Sequence, residues 1–274
     1  MNSSEYTITA DFLDCGGRKL FYLLLQPATV EPHSCILYLP PFAEEMHMSR
    51  HIVASQAREL AARGYTVMLL DPTGCGDSGG EFVDASWQIW LDDAAFAAHI
   101  LQDIGGGPLT LWGLRLGALL ACEVSLKLSD TQKLLLWQPI LNGEQQIDQF
   151  LRLRSAASVL STPLTFNRKA LWAELRAGGS LEIAGYELSS ELALEMSTSR
   201  LNDLSPKCMV NWLEAGTSPD GSLSVASENV LTHWQERGVQ VDSRFVCGDP
   251  FWRTPDALVN PDLQLNTLYL LAER

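Results

Sequence analysis

The 274-residue sequence is short of positive charge, of histidine and of long apolar runs, and each shortage removes a class of function. Nineteen Lys and Arg stand against 33 Asp and Glu, a formal net charge of −14. Such a surface repels phosphodiester backbones and anionic lipid, which excludes nucleic acid as a partner and leaves a cation or a basic protein surface compatible. No apolar stretch approaches the length that crosses a bilayer, and Met1 to Glu5 carry neither the basic nor the apolar part of a secretory leader. Membrane insertion is therefore not expected, and the cytoplasm is the expected location. The six cysteines, Cys15, Cys35, Cys75, Cys122, Cys208 and Cys247, have no paired spacing and read as small buried thiols; neither a metal nor a cofactor is called for. The five histidines are His33, His47, His51, His99 and His233. Repeats and low-complexity tracts are absent as well.

With 46% hydrophobic residues, the chain can bury one large core. Tyr6 to Leu13 and Lys19 to Gln26 flank the turn Asp14-Cys15-Gly16-Gly17 and predict a hairpin. Ser34 to Leu39, Tyr65 to Leu70, Pro108 to Trp112, Lys133 to Trp137, Lys207 to Leu213 and Val239 to Val246 read as buried strands. Helices are expected between them over Ser49 to Arg63 with Ser49 as N-cap, over Ala85 to Gln102, from Leu116 onward, over Ser227 to Arg237, and at the end of the chain. Strands alternating with helices call for a mostly parallel sheet covered on both faces. From Asn142 to about Ser205 the alternation stops, and helices are expected at Gln145 to Leu160 and Asn167 to Arg176. The predicted organisation is a core of residues 1–141 and 206–274 carrying a helical cap insertion at 142–205.

The centre of this arrangement is Thr110-Leu111-Trp112-Gly113-Leu114-Arg115-Leu116-Gly117-Ala118, a buried strand, a sharp turn and a helix. The shape matches a nucleophile elbow, G-x-S-x-G, whose glycines let a strained turn lift one side chain above the sheet. Here the lifted residue is Arg115. A guanidinium keeps its proton at accessible pH and has no usable lone pair, so it cannot attack a carbonyl.

The order of elements resembles the α/β-hydrolase fold over nearly the whole chain, and Asp71-Pro72-Thr73-Gly74-Cys75-Gly76-Asp77-Ser78 resembles the D-x-x-G-x-G-x-S loop found there. Leu39-Pro40-Pro41-Phe42-Ala43-Glu44-Glu45-Met46 and Leu111-Trp112-Gly113-Leu114-Arg115-Leu116-Gly117 resemble the family called exosortase A system-associated hydrolase 2. Ala184-Gly185-Tyr186-Glu187-Leu188-Ser189 and Gly248-Asp249-Pro250-Phe251-Trp252 support the likeness. Members of that family occur in bacteria that make an exopolysaccharide and sort proteins by exosortase, so the resemblance implies a role there.

Acyl transfer on this fold needs a nucleophile, a base, an acid that orients the base, and backbone donors for the oxyanion. Arg115 takes the first position. The segment Cys247 to Arg274, where the base would stand, contains no histidine; Phe251 and Trp252 occupy it. Asp220 or Glu214 can fill the acid position. In the oxyanion loop, Pro41 removes an N–H and Glu44 and Glu45 place carboxylates where an oxyanion would form. In α/β hydrolases this loop lies beside the elbow, so the resemblance implies an ion pair from Glu44 or Glu45 to Arg115.

Two functions follow. One is a non-catalytic protein that binds an anionic small molecule or a protein partner through Arg115, Phe42, Glu44, Glu45, Leu116 and Trp252. The other is a hydrolase or acyltransferase on esters or thioesters in which Glu44 or Glu45 activates water and Arg115 polarises an oxygen, with Asp220 as a further candidate. Glu44, His47 and His51 are too poorly spaced for a metal if the helix starts at Ser49, and Ser78 and Cys75 read as turn residues.

Overall fold

Strands and helices follow one another in the order β1 (Tyr6–Cys15), β2 (Arg18–Pro27), β3 (Ser34–Leu39), α1 (Glu44–Ala62), β4 (Tyr65–Leu70), α2 (Trp87–Gly105), β5 (Leu109–Leu114), α3 (Leu116–Lys127) and β6 (Thr131–Trp137). The chain continues with α4 (Gly143–Ala157), α5 (Arg168–Arg176), β7 (Leu181–Ile183), β8 (Tyr186–Leu188), α6 (Ser190–Thr198), β9 (Met209–Gly216), α7 (Val225–Glu236), β10 (Val241–Cys247) and α8 (Pro261–Ala272). The computed structural model describes residues 5–157, 167–254, 256 and 258–272. The end of the helix expected over Gln145 to Leu160, and part of the 142–205 insertion, lie outside the described residues.

Eight strands form one sheet in the order β1-β2-β4-β3-β5-β6-β9-β10. The β1–β2 and β2–β4 pairs are antiparallel and the remaining pairs parallel. This is the α/β-hydrolase fold. The central strands are apolar along their whole length, β5 being buried at every position, because both faces of a parallel sheet are covered. Ala94, Ala97, Leu101, Leu119, Val230 and Trp234 pack one face from α2, α3 and α7. Ile52, Val53, Leu60, Leu263 and Leu270 pack the other from α1 and α8.

Two expectations change. Helix α1 starts at Glu44 rather than at Ser49. Ser49 lies buried within it, and its hydroxyl donates to the Glu45 carbonyl over 2.8 Å, so it caps nothing. The earlier start places two carboxylates in the first turn, where the positive end of the helix dipole favours them. The 142–205 segment is also not wholly helical. Leu181–Ile183 and Tyr186–Leu188 pair as a hairpin across Ala184 and Gly185, both at positive φ, with Leu181, Ile183 and Leu188 buried. Three-residue strands are too short to leave a periodic signal, and the Ala-Gly turn was their one mark in the sequence.

Close backbone approach fixes the elbow. A Cβ on Gly117 would stand 2.1 Å from the Leu39 carbonyl oxygen, and one on Gly113 would stand 2.3 Å from the Gly117 carbonyl oxygen. Strand β3, strand β5 and helix α3 meet here with no room for a methyl group. Gly117→Ala is therefore expected to cost about 3 kcal/mol of stability, read as a lower urea midpoint at unchanged slope.

Candidate functional site

Arg115 occupies the turn between β5 and α3 with φ 57° and ψ −116°, a left-handed conformation that costs a non-glycine residue about 1–3 kcal/mol. The surroundings hold it there. Its N–H donates to the Trp137 carbonyl over 2.9 Å, and its own carbonyl accepts from Ile140 over 3.2 Å. Ala43, just before α1, has almost the same backbone, φ 50° and ψ −123°. Two helices thus begin beside one another from matching strained residues, and the first turn of α1 delivers Glu45 to the elbow.

The guanidinium and the Glu45 carboxylate form a buried ion pair. Nη2 lies 3.0 Å from Oε1, and Nε lies 3.2 Å from Oε1 and 3.4 Å from Oε2. Arg115 is 5% exposed and Glu45 8%. Nη2 also donates to Gln149 Oε1 of α4 over 3.0 Å, and the guanidinium lies 5.4 Å from the centre of the Trp252 ring. On balance the Glu45 carboxyl is raised: burial outweighs the charge and hydrogen bonds of Arg115 and the charge of Arg253, which pull it down.

Glu44 is placed differently. It is half-buried, and its Oε2 has no hydrogen-bond partner. Burial, reinforced by the charge of Glu45 and opposed by a bond to its own backbone, pushes its carboxyl up to about 7. Tyr186 of β8 feels the Glu44 charge, and burial together with that charge raises its phenol to about 12. Phe42 is buried and makes edge contacts with Phe82, Trp90 and Phe150. The space beside Phe42 and Leu116 is about 10 Å³, bordered also by Cys75, Trp87 and Trp90, which is room for one water. A much larger recess, about 820 Å³, opens at the far end of the sheet between α8 and the starts of the strands.

Arg115, Glu45 and Trp252 are therefore gathered into one contact set, with Phe42 and Leu116 bordering the small cavity. Glu44 lies beside the set without an ion pair to Arg115. Asp220 is exposed in the loop after β9, and no ion pair or side-chain hydrogen bond joins it to the site among the described residues. Glu214 is buried in β9, and its Oε1 accepts from the Ser224 N–H over 3.0 Å at the start of α7. Ser78 braces its loop, accepting from the Phe21 N–H over 2.7 Å and donating to the Asp71 carbonyl. The Cys75 thiol is raised by burial, which keeps it protonated. His47 and His51 share α1 with Glu44, contrary to the expected helix start, but both are exposed. No group of three or more His, Cys, Asp or Glu side chains suited to a metal occurs among the described residues. Gln149 was missed, because a glutamine on an amphipathic helix carries no sign of a distant arginine.

A family model places the chain more narrowly within the α/β-hydrolase fold. The description "serine aminopeptidase, S33" matches residues 31–178, a span that includes the oxyanion loop and the elbow. The chain belongs to that family. Similar solved structures include Est1E from Butyrivibrio proteoclasticus with ferulic acid bound, at 17% identity, TM-score 0.63, and coverage of 95% of this chain and 97% of that one. A cold-adapted esterase from an Arctic intertidal metagenomic library is 16% identical with TM-score 0.56, covering 100% and 96%. Alpha/beta hydrolase domain-containing protein 10 from mouse is 17% identical with TM-score 0.57, covering 96% of each chain. No curated protein matches the sequence. No helix among the described residues is long and apolar enough to cross a membrane.

Removing one member of a buried ion pair strands the other charge. Arg115→Ala is expected to cost about 3–5 kcal/mol in urea unfolding, whereas Arg115→Met combined with Glu45→Leu should fall within about 1 kcal/mol of wild type. Glu44 binds its proton more tightly folded than unfolded, since its carboxyl is raised to about 7 from 4.5. Its contribution to stability is full below the unfolded value and is lost as pH rises through the folded one. Tm should therefore fall between about pH 5 and about pH 8, and Glu44→Gln should flatten that fall.

Proposed function

We propose that this chain is a non-hydrolytic member of the serine aminopeptidase S33 family that uses its elbow to bind an anionic small molecule or an acidic group on a protein partner. The carrying observation is the Arg115–Glu45 ion pair of 3.0 Å at the turn where the fold presents its nucleophile. A guanidinium cannot attack a carbonyl, and the position after β10 holds Trp252, which has no proton to cycle near neutral pH. The anion reading is supported by convergence: the starts of α1 and α3 and the guanidinium all favour negative charge, and a carboxyl group, that of Glu45, already lies against Arg115 there. An incoming carboxylate or phosphate competes with Glu45 for Arg115. Because the space beside the elbow is about 10 Å³, entry also displaces Gln149 of α4.

The local sequences that resemble the exosortase A system-associated hydrolase 2 family support a setting in exopolysaccharide production or protein sorting. A cytoplasmic location belongs to the same reading, supported by six free cysteines.

A second reading has its own observation. The Glu44 oxygen without a partner, on a carboxyl raised to about 7, suits a general base that takes a proton from water while Arg115 stabilises the developing oxyanion. The esterase named among the similar structures is in keeping with it.

Acyl esters, thioesters and phosphoesters offered to wild type, Arg115→Ala, Glu44→Gln and Glu45→Gln separate the two. The binding reading expects no turnover by any of them. It further expects a Tm increase with carboxylates or phosphates in wild type, about tenfold tighter binding in Glu45→Gln, equivalent to about 1.4 kcal/mol, and none in Arg115→Ala. Turnover by wild type that Glu44→Gln and Arg115→Ala both lose would overturn it in favour of the second reading.

A further inference from the structure

We propose that the chain forms a two-fold dimer in which the β1 edge of one copy pairs antiparallel with the β1 edge of another, centred on Ala10. The proposal is independent of the elbow. Strand β1 ends the sheet and runs against β2 for ten residues without a register break. The Ala28 N–H donates to the Glu5 carbonyl over 3.0 Å, which fixes the alternation: odd-numbered residues of β1 turn their backbone groups toward β2, and Ile8, Ala10 and Phe12 turn theirs outward. The Phe12 N–H agrees with this direction, since among the described residues it reaches no strand and is taken up by its own neighbour, Asp11 Oδ1, over 2.7 Å.

Natural edges are normally defended by proline, lysine or a bulge. Tyr6–Cys15 contains none of these, and of its two charged side chains Asp14 is bound to Lys19 while Asp11 lies on the face away from Ile8 and Phe12. Its outward ladder is instead accompanied by Ile8 and Phe12, 50% and 51% exposed, large apolar side chains on one face of the sheet. They continue a ribbon begun by their β2 partners Leu25 and Phe21, and Phe12 and Phe21 meet edge to face at 5.4 Å.

The occupant follows from the register. With the axis at Ala10, Ile8 of each copy lies opposite Phe12 of the other, an aromatic and β-branched pair made twice. On the opposite face Thr9 lies across from Asp11, so no carboxylate meets another directly. Moving the axis to Asp11 sets two carboxylates face to face, and moving it to Thr9 separates Ile8 from Phe12. A second copy therefore satisfies the apolar pattern, the charges and the ladder together.

Light scattering after size exclusion tests this on the full chain. Wild type is expected to show twice its 30.2 kDa mass at tens of micromolar. Ala10→Pro removes an N–H that the β1–β2 ladder does not use, so it should yield a folded, cooperatively unfolding monomer whose Tm, unlike that of wild type, does not depend on protein concentration; Ile8→Lys should do the same should Ala10→Pro lose its fold. Thr9→Lys tests the register by placing a lysine opposite Asp11 of the other copy at two sites. It should tighten the dimer about threefold to tenfold at low salt, with the gain lost at high salt. A monomeric wild type, a dimer that survives both disruptive substitutions, or a Thr9→Lys variant no tighter than wild type overturns the proposal.

Discussion

The interaction on which the site depends is the ion pair between Arg115 and Glu45. A buried guanidinium is sustained only where its charge is met and its donors are occupied. Each neighbouring element supplies one condition. Helix α1 brings the carboxylate, α4 brings Gln149, and the segment after β10 brings the Trp252 ring. The elbow in turn can hold an arginine because Gly113 and Gly117 let β3, β5 and α3 approach without side chains between them. Backbone proximity thus comes first, and the charge pair is built upon it.

Glu44 and Glu45 show how one helical turn separates two identical side chains. Both enter at the positive end of α1, yet Glu45 lies against Arg115 while Glu44 is left with an oxygen that has no partner. The first is held in the ion pair, its carboxyl raised by burial against the pull of Arg115. The second, raised to about 7, changes its charge near neutrality. A residue that does not touch the arginine thus changes charge near neutrality, and burial with the Glu44 charge raises the Tyr186 phenol on the β7–β8 hairpin. Around this polar set, the rings of Phe42, Phe82, Phe150 and Tyr186 pack edge to face and hold α4 and β8 against the segment before α1 and the loop before α2.

The hairpin at the far edge of the sheet follows the same economy. Arg18 beside its turn reaches Asp93 of α2 through Nε at 3.0 Å and Nη2 at 2.9 Å, and Asp93 also accepts from the Thr73 N–H. One buried carboxylate ties the hairpin, the glycine-rich loop and a core helix together. The anchored end of β1 is buried at Leu13 and Cys15, while Thr7 to Phe12 are exposed.

The sequence by itself determined the alternation of strands and helices, the sheet they build and the elbow at Arg115, because these rest on local periodicity and on glycines whose spacing has one steric meaning. It also brought Arg115 together with a carboxylate of the preceding loop, but left open which one. Only the tertiary structure chose Glu45, since that depends on α1 starting at Glu44 and not at Ser49, a difference of little more than one turn. It alone recruited Gln149 and left Asp220 in solvent. A side chain's partners across the fold are decided by the relative placement of whole elements, to which no local pattern in the chain responds.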